Sequence, residues 1–161
     1  MQKGGKLRVG WFSFACCEDS TIMMTELMNE HWQDWKQKID FVYARVLQSY
    51  KELKNIDVAF IEGAIATERD SKRAKEIRKN SKYVVAIGAC AVDGMPAAQR
   101  NTFDEKTKKE ISLILQRFKH REKVSPLKEV IKVDDFVPGC PMQESVFLSV
   151  LDKYLKLFGV K

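Results

Sequence analysis

The sequence predicts an α/β protein with an open, mostly parallel sheet covered by helices on both faces. Three observations predict it. Short apolar runs, among them DVAFIE at Asp57–Glu62 and YVVAIG at Tyr83–Gly88, alternate along the chain with charged, helix-like stretches. These runs are apolar almost throughout, as strands buried on both faces are. The 161 residues, 45% hydrophobic and 31% charged, suit one domain spanning 1–161 that is long enough to bury a real core.

Lys6–Phe14 (KLRVGWFSF) reads as the first strand and ends just before a cysteine pair. Thr21–Lys36 carries Ile22, Leu27 and Met28 among polar residues, with Ser20 as its N-cap. Ile39–Val46 is rich in β-branched and aromatic residues and reads as the second strand. Leu47–Asn55 is expected as a short helical connection, and Asp57–Glu62 as a buried strand stopped by Gly63. Thr67–Asn80 reads as a charged helix with Ala74 and Ile77 facing inwards, followed by the strand Tyr83–Gly88. Ala89–Asp104 shows little periodicity and is expected as a loop, and Asp104–Lys119 as an amphipathic helix with Ile111, Leu113, Ile114, Leu115 and Phe118 apolar. Glu129–Val133 is expected as the last strand, Pro138-Gly139-Cys140-Pro141 as a tight turn, and Met142–Phe158 as the closing helix. Five strands alternating with helices suit a flavodoxin-like order, 2-1-3-4-5.

Charge and composition exclude several classes. The net charge of +6 arises from 28 Lys and Arg against 22 Asp and Glu. The two signs are interleaved, as in Glu68-Arg69-Asp70-Ser71-Lys72-Arg73, which reads as solvated helix faces. Zinc-finger spacing and RNP-like aromatic motifs are absent, so no nucleic acid is expected as a partner. No apolar run approaches the ~18 residues of a membrane span. The opening MQKGGKLRVGWF has neither a long apolar region nor a signal cleavage site, so a cytoplasmic location is expected. Gly63, Gly88 and Gly94 form no G-x-G-x-x-G or phosphate loop.

The chemistry lies in the cysteines. Cys16 and Cys17 follow the first strand, Cys90 follows YVVAIG and Cys140 follows the last strand. In an open α/β sheet the carboxyl ends of parallel strands share one edge, and ligands bind there. Four thiolates on separate loops at one edge suit a [4Fe–4S] cluster, which takes one thiolate per iron. Zinc also accepts thiolates, but structural zinc sites use close C-x₂₋₄-C pairs, which this chain lacks. Small residues surround the thiols, in Gly88-Ala89-Cys90-Ala91 and Pro138-Gly139-Cys140-Pro141, and would let backbone N–H groups approach cluster sulfurs. Pro141 as the first residue of the last helix would set Cys140 at a positive helix end. Buried cysteines serve equally as small apolar core residues, and a flavodoxin-like binding module without a metal is the competing reading.

Three motifs carry a family resemblance: IDVAFIEGAIATE (Ile56–Glu68), VVAIGACAVDGMPAAQRN (Val84–Asn101) and IKVDDFVPGCP (Ile131–Pro141). With the cysteines in register, the chain resembles the small, electron-transferring subunit of [NiFe] hydrogenases and the 20 kDa-type subunit of respiratory complex I. The likeness runs from Lys6 to Leu155 and is strongest to soluble hydrogenase small subunits. The resemblance implies a non-catalytic subunit of an oxidoreductase, with one proximal [4Fe–4S] cluster held by Cys16, Cys17, Cys90 and Cys140. It implies a large catalytic subunit and a further electron-transfer subunit as partners, at an interface near Cys16–Thr21, Ala91–Asn101 and Pro138–Gln143. Flavin fits by fold analogy alone and no residue demands it. One departure stands out. Hydrogenase small subunits open with C-x-G-C, which would put Ser20 in place of a cysteine, whereas the tandem Cys16-Cys17 resembles complex I. A complex I-like, quinone-linked or nickel-free assembly is therefore the alternative function. Both tandem cysteines are expected as ligands, because a thiolate suits iron far better than a serine hydroxyl.

Glu18 and Asp19 flank the pair, as proton relays at the subunit junction, as iron ligands, or simply as helix-start acids. Glu62 ends a buried strand at the ligand edge, with a proton-carrying or interface role set against a structural one. His31 and His120 are isolated among helix-surface residues and are not expected as ligands. Trp11, Trp32 and Trp35 read as packing or interface residues.

Overall fold

The chain is described by a computed structural model covering residues 5–50 and 53–160. In chain order the elements are β1 (Leu7–Ser13), α1 (Asp19–Lys38), β2 (Ile39–Ala44), β3 (Ser49–Tyr50), β4 (Ile56–Glu62), β5 (Ile65–Thr67), α2 (Glu68–Lys79), β6 (Ser81–Ile87), α3 (Gly88–Asp93), α4 (Glu105–Arg117), β7 (His120–Ser125), β8 (Asp135–Val137) and α5 (Glu144–Leu157). The main sheet runs β3-β2-β1-β4-β6-β8. All its pairings are parallel except β2 with the two-residue β3. Numbered among the parallel strands alone, the order is 2-1-3-4-5, as the alternation of elements predicts.

The pleat splits each strand between two cores. Val9, Trp11, Val58, Phe60, Val85 and Ile87 point to the face covered by α1 and α5, where they meet Met24, Leu27, Trp35, Phe147 and Leu151. Phe12, Ala59, Ile61, Val84 and Ala86 point to the other face, where Ala74 and Ile77 of α2 and Ala91 of α3 pack on them. Each large side chain buried this way contributes ~1.5–3 kcal/mol. Helix α2 begins with a capping box: Asp70 N–H donates to Thr67 Oγ1 and Thr67 N–H to the Asp70 carboxylate, both at 3.0 Å.

Several expectations are corrected. Residues 45–48 form a turn that leads into β3, not a helix; positions 51 and 52 of the expected helical connection lie outside the described residues, as do residues 1–4 of the opening stretch. The expected loop after YVVAIG starts as α3 and later turns through a 3₁₀ segment, Gln99–Thr102. The last strand is Asp135–Val137 rather than Glu129–Val133. Leu127 and Ile131 are buried from a 3₁₀ turn and the coil after it, so their apolar pattern mimics a strand. His120 starts a strand, β7, which pairs antiparallel with β5 in a separate two-stranded sheet. Helix α5 begins at Glu144, three residues after Pro141, so Pro141 does not open it. Helix α4 forms as expected, but none of its residues is buried, and Leu113 and Phe118 are 75% and 62% exposed. Among the described residues, no helix is long and apolar enough to cross a membrane.

Candidate functional site

The carboxyl ends of β1, β4, β6 and β8 lie side by side along one edge of the parallel sheet. After β1 the backbone is held extended by pairing with the segment after β4: Phe14 N–H donates to Glu62 O at 2.8 Å, and Ala15 and Ala64 exchange hydrogen bonds. The chain then bends at Cys16, and Glu18 takes a left-handed conformation (φ 65°) just before α1. This bend lets adjacent side chains, Cys16 and Cys17, serve one edge. Cys90 lies in the first turn of α3, immediately beyond β6, and Cys140 lies in the turn beyond β8. The two latter segments are tied together by Ala89 N–H donating to Gly139 O at 2.7 Å.

All four cysteines line a single small cleft, together with Asp19, Ser20, Glu62, Ile87, Gly88, Ala89, Gly139 and Pro141. Cys90 is buried, Cys16 half-buried, and Cys17 and Cys140 exposed, and none is in a disulfide. The thiols feel one another. Burial first, then the charges of Glu62 and Cys90, push the Cys16 thiol up to about 12, against an opposing hydrogen bond from the Glu18 backbone. Burial also raises Cys90, with Cys140, Cys17 and Glu62 adding to it, while the Ala97 backbone amide pulls the other way. Cys90 is therefore within electrostatic reach of the other three sulfurs. Such crowding of potential negative charge is costly unless a cationic group shares the cleft. Among the described residues no three His, Cys, Asp or Glu side chains converge as a site for a single metal ion.

Two glycines let the walls close. Gly88 has φ 75°, and a Cβ there would sit 2.8 Å from Ser20 Oγ. Gly139 has φ 110°, and a Cβ there would sit 2.5 Å from Pro141 O. Both conformations disfavour any side chain.

The structure separates the remaining candidates. Glu62 is 3% exposed and holds the start of α1: its carboxylate accepts from Ser20 N–H (3.0 Å), Thr21 N–H (3.1 Å) and Thr21 Oγ1 (2.7 Å). An acid supplied by β4 thus caps a helix from another part of the chain. Thr21 Oγ1 in turn accepts from Trp11 Nε1 at 2.8 Å, so Trp11 belongs to the core and to this network. Ser20 is not the N-cap; that position is Glu18, which makes no side-chain cap. The Ser20 hydroxyl instead accepts from Met142 N–H at 3.2 Å, linking α1 to the Cys140 turn. His31 stacks on Trp35 at 5.4 Å and His120 lies on β7; neither lines the cysteine cleft. Trp35 is buried and Trp32 is exposed. The role of Glu62 as helix anchor was not legible in sequence, because its partners are 41 and 42 residues away.

Fold and site together define a doubly wound α/β protein with four thiols along one cleft at its carboxyl edge. The chain belongs to the family of the NADH ubiquinone oxidoreductase 20 kDa subunit, whose pattern matches residues 16–154. Among curated proteins it is similar to a subunit of the F420-non-reducing hydrogenase of Methanothermobacter marburgensis, with 31% identity over 94% of this chain and 54% of that one. It is also similar to the delta subunit of the NAD-reducing hydrogenase HoxS of Cupriavidus necator, with 25% identity over 92% of this chain and 78% of that one. The chain thus spans about half the length of the first of these relatives. Among solved structures, a chain of an NAD⁺-reducing [NiFe]-hydrogenase in the H₂-reduced state shares the fold, with a TM-score of 0.81, 24% identity and coverage of 98% of this chain and 94% of that one.

Proposed function

We propose that this chain is a non-catalytic, electron-transferring subunit of a cytoplasmic hydrogenase-type oxidoreductase, holding one [4Fe–4S] cluster through Cys16, Cys17, Cys90 and Cys140. The observation that carries the reading is that cysteines from three distant segments line one cleft at the ligand edge of the sheet. The donor set fits the group: four thiols, small flanking residues and backbone amides of Glu18 and Ala97 beside two of the sulfurs. When bound, the cluster would supply one-electron storage and transfer at a potential set by charge, hydrogen bonding and exposure. The chain's own residues supply the frame: Glu62 fixes the start of α1 behind Cys17, and Gly88 and Gly139 bring the backbone close.

The exposed thiols Cys17 and Cys140 face outwards, so a large catalytic subunit would cover this edge along residues 16–21, 91–101 and 138–143, with a further electron-transfer subunit completing the path. The test is iron and sulfide content of anaerobically prepared protein. About four of each per chain are expected, with Cys90→Ser and Cys140→Ser losing most of them. Full iron content in both variants would sink the proposal and leave a binding module without a metal.

A second reading has its own observation. The Ser20 hydroxyl is engaged by Met142 N–H, which favours the tandem cysteine pair over the Cys17–Ser20 register. A tandem pair resembles the complex I-like arrangement, and in that reading the assembly would be quinone-linked or nickel-free, with the same four cysteines holding the cluster. Metal analysis of the purified complex decides it: nickel in stoichiometric amount favours the hydrogenase reading, and its absence the complex I-like one. No side chain in the cleft asks for flavin.

A further inference from the structure

The turn between α3 and α4 is short of regular structure but anchored at both ends. At its start Gly94, at φ 89°, closes α3 by donating to Ala89 O (3.1 Å) and Cys90 O (3.0 Å), and Ala98 N–H then donates to Gly94 O at 2.7 Å. At its end two side chains grip the main chain of β7, 21 to 23 residues away. Asn101 Nδ2 donates to Val124 O at 2.7 Å, and Val124 N–H donates to Asn101 Oδ1 at 2.9 Å. One side-chain amide thus completes both backbone groups of Val124, as a neighbouring strand would. The Arg100 guanidinium donates to Arg121 O (2.7 Å) and Glu122 O (2.8 Å), a pair of acceptors that its planar fork can reach together. β7 is itself paired with β5, so the turn is fixed to the small second sheet. Beneath it lies an apolar cluster of Ala64, Ala66, Cys90, Ala98 and Val124, against which Ala97 and Cys16 pack. Between the two anchored ends sits Ala97, whose backbone N–H donates to the Cys90 sulfur. Neither Arg100 nor Asn101 lines the cysteine cleft.

We propose that Asn101 and Arg100 are positioning residues that hold the Ala97 amide on the Cys90 sulfur and thereby raise the reduction potential of the cluster bound there. The inference rests on the reading of the four cysteines as cluster ligands. A sulfur that accepts an N–H bond carries the added electron density of the reduced state more readily, so the donor favours reduction. Ala97 needs outside help to stay in place. Its neighbours in Met95-Pro96-Ala97-Ala98 offer no side-chain hydrogen bond to fix the turn, and a segment held only by itself opens locally at little cost. The two side chains satisfy four backbone groups of β7 at once, so the turn takes its position from the β5–β7 sheet. An ordinary loop staple would make the same four bonds but would leave the potential of the cluster where it was.

The test compares the full chain, prepared anaerobically, with Asn101→Ala and Arg100→Lys. Both substitutions leave the net charge unchanged, so a shift in potential reports the hydrogen bond and not a lost charge. Ser112→Ala, on α4 and outside the clamp, is the control. Iron content and circular dichroism establish that each variant is loaded and folded. Redox titration under argon, followed by EPR, gives the midpoint potential, and hydrogen exchange read by mass spectrometry follows residues 94–102. Expected are full iron content, a midpoint potential more negative than the parent's in both clamp variants, and exchange at least about ten-fold faster across 94–102; the control should match the parent. Potentials equal to the parent's at full iron content would overturn the proposal, even with faster exchange, because the clamp would then be structural alone. Loss of iron from both variants would overturn it too, by making the pair a requirement for folding the site. A parent that holds no iron would defeat the electron-transfer reading itself, whereas a loaded parent with unshifted variants defeats this inference alone.

Discussion

Cys16 and Cys17 lie at the bend before α1 and Ser20 in the first turn of that helix, and this geometry decides which of them can serve the cleft. The Ser20 hydroxyl already accepts from Met142 N–H, and a serine oxygen would have to lose a proton of high pKa to bind iron. Cys16→Ala should therefore lower iron content and change the EPR signal, while Ser20→Ala should keep the iron. The reverse pair of results would restore the hydrogenase-like spacing. Glu62 gives a second prediction. Glu62→Ala would strand two buried amides and a hydroxyl, at a cost of about 2–4 kcal/mol in denaturant unfolding. Unchanged stability would mean that the carboxylate does not anchor α1. The sequence placed Glu62 at the ligand edge because it ends an apolar run before glycine. Its partners were hidden because they arrive from a different strand–helix turn.

The elements with strong local signals were legible in sequence. β1, β2, β4 and β6 are apolar runs bounded by turns, and α2 has its cap and its inner Ala74 and Ile77. β8 was not legible, because polar partners rather than propensity hold it. Asp134, just before it, accepts from Val84 N–H at 2.8 Å and Arg78 at 2.5 Å, and Asp135 accepts from Lys153 at 2.8 Å and from the Tyr154 hydroxyl. Burial opposes ionisation of Asp134, but the Val84 amide and Arg78 outweigh it and hold its carboxyl below the ordinary range. The stabilisation is thus fully present above the unfolded Asp pKa of about 4 and is lost as pH falls through the lower folded value. Asp134→Asn should be less stable than the parent at pH 7, with the difference shrinking towards pH 3 in urea titrations. A difference that stays constant with pH would assign the loss to packing. The β5–β7 sheet escaped notice because Ile65-Ala66-Thr67 is too short to register as a strand, and β7 is built largely of charged residues.

At the scale of the molecule, the same topology that orders the sheet 2-1-3-4-5 delivers cysteines separated by scores of residues to one edge, which is why their convergence was legible from the strand ends. The exposed ridge of α4 could not be read that way. A periodic apolar face says that a helix has something to cover, not that this chain covers it. If the cysteine edge is an interface, hydrogen exchange at residues 16–21, 91–101 and 138–143 should slow when the chain is in its native complex rather than alone; equal exchange in both would place the partner elsewhere. The central claim is that four thiols of one chain hold one cluster. Native mass spectrometry of the anaerobically purified chain measures it directly. The parent should carry the mass of a single Fe₄S₄ unit, and Cys16→Ala, Cys17→Ala, Cys90→Ala and Cys140→Ala should each lose it in whole or part. A parent without that added mass, or four variants that all retain it intact, would contradict the claim.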